Sequence, residues 1–297
     1  MPLAAPVRGG ELRGAVWEPD APAIATVLAV HGITSSHLAW RWLADALPGV
    51  RVVAPDLRGR GRSRELSGPW GMEQHAEDCA AFLDAAGASE VVAIGHSMGG
   101  FVAGALAALA PRRIAGLVLV DGGLPLPAPA GVAPAELPEA LIGPAAARLS
   151  AVYPSREAYR EFWRAHPAFE GVHDPRLDEY ADYELRGEAP ELRPAARIEA
   201  VAADSLELQD ETAILDRLRG IRGRIPFLRA ERGLLDEVPP LYPWERLDHW
   251  RGELPALEAH AIDSVNHYTI LMSDDGVRKI LPVIERAIGA PAEGVHP

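Results

Sequence analysis

What this 297-residue chain lacks narrows it first. Cys79 is the only cysteine, so no internal disulfide can form and no thiolate cluster can hold a metal. Its place in a helical run, Asp78-Cys79-Ala80-Ala81-Phe82-Leu83, reads as core packing. No segment approaches the roughly 20 apolar residues that span a bilayer. Residues 1–8 carry no apolar core of signal-peptide length, so a cytoplasmic location without membrane contact is expected. Basic residues are short as well. Set against 42 acidic residues, the 29 basic ones leave a net charge of −13, which argues against nucleic acid or an anionic membrane as partner.

Present instead is an alternation of strand-like and helical runs. Glu11 to Trp17, Ile24 to Val30, Val50 to Ala54, Val91 to Ile94 and Leu117 to Val120 read as strands. Between them, helices are expected at about Ser36 to Leu47, Met72 to Ala86 and Phe101 to Leu109. Strands of Val, Ile and Leu without polar alternation are buried on both faces, which predicts an α/β fold with a mostly parallel sheet flanked by helices. The rhythm stops after Asp121-Gly122-Gly123 and resumes at Ile225 to Ala230, with a further strand near Leu257 to Ile262 and a last helix capped at Ser273. The stretch between is Pro-rich and then helical, with starts at Ser155 and at Asp174-Pro175 and a last helix at about Glu211 to Leu218. The expected organisation is a core of residues 1–123 and 220–297 carrying an inserted helical cap at 124–219.

The most informative run is Val91-Val92-Ala93-Ile94-Gly95-His96-Ser97-Met98-Gly99-Gly100. An apolar strand enters Gly-x-Ser-x-Gly, and a small-residue helix follows, which is the context of a nucleophile elbow. Ser97 then sits at the tip of a tight turn, with a helix N-terminus behind it that favours a developing oxyanion. Three further segments fall at strand ends, where open α/β sheets build their sites: Val30-His31-Gly32-Ile33-Thr34, Asp56-Leu57-Arg58-Gly59-Arg60-Gly61-Arg62-Ser63 and Val265-Asn266-His267-Tyr268.

With His31-Gly32, the Asp-x-Arg-Gly-x-Gly-x-Ser loop at 56–63, the elbow at 95–99 and the late His267 in this order, the chain resembles the α/β-hydrolases. The resemblance implies a serine hydrolase acting on a carboxylic ester of a small to medium, largely apolar substrate. Ser97 would be the nucleophile, His267 the base, and the backbone N–H groups of Ile33 and Met98 the oxyanion donors. The family's usual position for the acid, after the strand that follows the cap, points to Asp236, with Glu231 and Asp121 as alternatives. His31, Trp40, His96, Phe162, Trp163 and Tyr268 are the candidate pocket residues. A serine at 97 argues against the epoxide hydrolase and dehalogenase branches, which would require aspartate there. Lactone, thioester or C–C bond hydrolysis by the same triad stays open, as does a receptor-like protein with little turnover. No cofactor and no metal are expected.

Overall fold

A computed structural model describes residues 1–126, 145 and 147–289. Eight strands form one sheet in the order β1-β2-β4-β3-β5-β6-β9-β10. They are β1 Pro2–Val7, β2 Gly10–Trp17, β3 Ala25–Val30, β4 Val50–Pro55, β5 Val91–His96, β6 Ile114–Val120, β9 Ile225–Arg232 and β10 Leu257–Asn266. A hairpin, β1–β2, joins β4 antiparallel at one edge, and every pairing from β4 to β10 is parallel. Alternate residues of the central strands feed two separate cores, as a period of two requires. Leu28, Val30, Val53, Ala93, Leu117 and Leu119 face one; Val27, Ala29, Val52, Ala54, Ile94, Val118 and Val120 face the other. The first core is closed by helices α2 Met72–Ala85 and α3 Met98–Leu109, the second by α1 Arg41–Ala46 and by the last helix of the chain, Asp274–Gly289.

Between β6 and β9 lie α4 Arg156–Arg164, α5 Pro175–Tyr183, a two-stranded ribbon of β7 Leu185–Arg186 and β8 Arg193–Pro194, then α6 Ile198–Glu207 and α7 Glu211–Arg219. Ser155 caps α4 by accepting the Ala158 N–H at 3.1 Å, and Asp174 caps α5 by accepting that of Arg176 at 2.9 Å. These helices form the inserted cap region. One of them, α7, leans on the core itself: Ile214, Leu215 and Leu218 share the apolar cluster of α3. After β9 comes α8 Trp244–Glu253, and after β10 the last helix, α9. Among the described residues no helix is long and apolar enough to cross a membrane.

Several elements depart from the sequence reading. The expected helix at 36–47 is a 3-10 turn, His37–Trp40, running into a short α1. Strand β1 was not expected; it lies at the sheet edge and buries only Ala5 fully, so it has no apolar run to announce it. Helices α6 and α8 were also missed. Polar Asp204 and Ser205 complete the buried side of α6, and α8 buries only Leu247 and Trp250, so neither shows an apolar stripe.

Candidate active site

Strand β5 ends and α3 begins at Ser97, whose backbone sits at φ 55°, ψ −126°. A non-glycine residue there is strained, and the surroundings hold it. Ser97 N–H donates to Val120 O at 3.0 Å, and Ser97 O accepts Gly100 N–H at 3.0 Å. Missing side chains make the turn possible. A Cβ on Gly95 would overlap the Gly99 carbonyl, one on Gly99 would overlap Val30 O and His31 O, and one on Gly122 would overlap Ser97 Cα and O. Three strand ends are thereby pressed onto one serine. The role of Gly122 was not read from the sequence, because it depends on β6 lying beside β5.

His267 follows β10 and is buried. Its Nδ1–H donates to Asp121 Oδ2 at 2.7 Å, which leaves Nε2 as the free basic nitrogen. Asp121 is fully buried at the end of β6, at φ 43°, and its Oδ1 accepts the Ala230 N–H at 3.1 Å. Here the structure departs from the first choice of acid. Asp236 turns to Asn266 Nδ2 at 3.1 Å and stands 3.7 Å from Arg232, with its side chain 42% exposed. Glu231 accepts the Ser264 N–H at 2.7 Å. Both belong to the exit from β9, whereas β6, one strand nearer the elbow, delivers its carboxylate directly to the imidazole. Among the described residues there is no hydrogen bond between Ser97 Oγ and His267, a contact that often tightens only with substrate bound.

Two more histidines brace this arrangement. His96 Nε2–H donates to the His267 carbonyl at 2.8 Å, and the two rings lie 4.7 Å apart. Burial, then the neighbouring His267, hold its pKa down to about 3, so it stays neutral. His31 Nε2 accepts the Leu57 N–H at 2.9 Å, so its Nδ1 carries the proton and meets Gly32 O at 2.7 Å. Burial lowers its pKa to about 4. Gly32 lies against Ser97, since a Cβ on it would be 3.1 Å from Ser97 Cβ and 3.5 Å from Oγ. The segment containing Ile33 is therefore held beside the serine hydroxyl. Asp56 anchors the adjoining loop by accepting His37 N–H and His37 Nδ1–H at 2.9 Å and Tyr183 O–H at 2.6 Å. Burial would raise its pKa, but His37 outweighs it and the carboxyl is held at about 2.

The expected pocket residues fall into buried supports and partly buried cap-margin side chains. His31 and Trp40 have no exposed surface, so they are supports rather than walls: a brace in one case and part of the core under α1 in the other. His96 is likewise a brace. Trp163 is 2% exposed and packs inside the cap. Phe162 and Tyr268 are partly buried at its margin. Tyr268 links cap and site, its ring 5.7 Å from His267 and 5.9 Å from Trp163. Among the described residues no group of three His, Cys, Asp or Glu side chains is placed to hold a metal ion.

A family model for the α/β hydrolase fold matches residues 25–155, from β3 through the elbow into the cap. The chain has the α/β-hydrolase fold, and the family model covers somewhat less than half of its length. It is 44% identical over 105 residues to Lipase LipV of Mycobacterium tuberculosis, a match covering 35% of this chain and 39% of that protein. A putative carbamate hydrolase, RutD, of Azorhizobium caulinodans is 38% identical over 84 residues, 28% of this chain and 32% of the relative. The chain thus aligns with about two-fifths or less of the length of these two relatives. Among solved structures, an E-2-(acetamidomethylene)succinate hydrolase superposes over 96% of this chain and 99% of its own, with a TM-score of 0.77 and 18% identity. At that identity the likeness is one of fold.

Proposed function

We propose that this α/β-hydrolase is a serine hydrolase that cleaves a carboxylic ester of small to medium, largely apolar character. The observation that carries the reading is the Asp121–His267 pair, bonded at 2.7 Å, at the same carboxyl end of the parallel strands as the strained Ser97. In this mechanism His267 Nε2 takes the proton as Ser97 Oγ attacks the ester carbonyl. Asp121 keeps the imidazole in the correct tautomer and stabilises the imidazolium. The oxyanion is received by the N–H groups of Met98, at the start of α3, and Ile33, each such donor contributing about 3 kcal/mol to the transition state. His267 then protonates the leaving alcohol, and water repeats the sequence on the acyl-enzyme. The aromatic inner face of the cap, reached through Tyr268, favours an apolar acyl group, in keeping with the partial match to a lipase. Ser97→Ala should abolish turnover of chromogenic short-chain esters while the melting temperature stays near the parent value. Near-parental turnover in that variant would refute the mechanism.

A further inference from the structure

Beneath the oxyanion loop lies a buried ion pair that the proposed reaction does not use. Arg60 and Asp204 have no exposed side-chain surface, and Arg60 Nη1 stands 2.6 Å from Asp204 Oδ2. Arg60 comes from the loop after β4, Asp204 from the cap helix α6. The other guanidinium nitrogens face the site. Nε–H donates to Ile33 O at 2.9 Å, and Nη2 lies 3.9 Å from Met98 Sδ. These are the two residues whose N–H groups would receive the oxyanion. Nη1 also donates to Arg58 O at 2.8 Å, which fixes the fork within its own loop.

The cap side is equally tied. Asp204 Oδ1 accepts the Gly71 N–H at 2.7 Å, and Oδ2 lies 2.9 Å from His75 Nε2. Arg197, just before α6, donates its N–H to Gly59 O at 2.9 Å, and Glu207 accepts the Met72 N–H at 2.9 Å. Contact along this seam is close enough that a Cβ on Gly59 would come within 2.7 Å of Ala200 Cβ. A charge with no exposed surface must be compensated where it lies, so Arg60 keeps this place only while α6 is docked.

We infer that Arg60 is a positioning residue for the oxyanion site, held in place by Asp204, so that cap helix α6 acts on the chemistry as well as covering it. The inference rests on the serine-hydrolase reading above. Preorganised donors work only if they are fixed before charge develops, and a loop free to turn loses that advantage.

The test is a double replacement, Arg60→Met with Asp204→Leu, which removes both charges and keeps apolar bulk. Because Ile33 O, Arg58 O and the Gly71 N–H lose their partners, the melting temperature should fall while the fold is kept; KM should stay near the parent value and kcat should fall about 10- to 100-fold. A folded double variant with parental kcat overturns the proposal. Should the double variant not fold, Arg60→Lys decides. It keeps the charge opposite Asp204 but cannot hold Ile33 O, Arg58 O and Met98 at once, so kcat should again fall with KM unchanged. Unchanged kcat in Arg60→Lys is the contrary result. Labelling of Ser97 by a fluorophosphonate in the parent protein reads the underlying mechanism separately. A labelled serine with indifferent Arg60 variants sinks only the positioning role, whereas an unlabelled serine sinks the serine-hydrolase reading itself.

Discussion

A methyl group on Gly122 would overlap Ser97 Cα and its carbonyl oxygen, both of them backbone atoms that cannot swing aside. Gly122→Ala should therefore displace the elbow, costing about 1–3 kcal/mol of stability from overpacking and most of the proposed ester turnover. Gly252, in the last turn of α8, is the contrast. Nothing lies within 4 Å of a Cβ built there, so Gly252→Ala should raise stability by up to about 1 kcal/mol and leave turnover alone. Urea denaturation and ester assays on the two variants check both halves, and equal behaviour of the two would contradict the argument. Residue by residue, the proposed nucleophile Ser97 and base His267 are legible from motif and order. The Asp121 carboxylate could be placed only as an alternative. Nothing local marks it apart from its strand-end position, and its partner lies 146 residues away.

At the scale of elements, legibility followed how each one buries its surface. Strands β3 to β6 are rich in Val, Ile, Leu and Ala because both faces meet helices, and sequence alone marks them. Helix α6 is hidden from such a reading. Its inward side carries Asp204 and Ser205 beside Ala200 and Val201, and the carboxylate is bonded to Arg60, His75 and Gly71. Asp236 stands apart from His267 for a similar reason. Which strand brings an acid to His267 depends on the β5-β6-β9-β10 order, a property of pairing rather than of any one segment.

Across the whole molecule, buried neutral histidines set the acid side of stability. His31 and His96 have folded pKa values of about 4 and about 3 against 6.5 for the exposed group. Below pH 6.5 the unfolded chain takes up protons that the folded chain refuses, so stability is fully present above that pH and declines as pH falls toward the folded values. At pH 5.5 each histidine should cost about 1.4 kcal/mol relative to pH 7.5. Asp56 and Asp204, both held at about 2, add a further loss only between about pH 4 and pH 2. The urea midpoint should therefore be lower at pH 5.5 than at 7.5. An unchanged or higher midpoint would show that these rings are not buried neutral.

The acid that orients His267 in the proposed triad is Asp121. Asp121→Asn preserves the size of the side chain yet removes the charge that orients His267. It should lower kcat for a chromogenic ester steeply, by up to about 10⁴-fold, with the protein still folded. In the same assay Asp236→Asn should stay close to the parent, since its half-exposed carboxylate contributes only weak, screened electrostatics. A crippled Asp236→Asn beside an active Asp121→Asn would contradict the proposed triad.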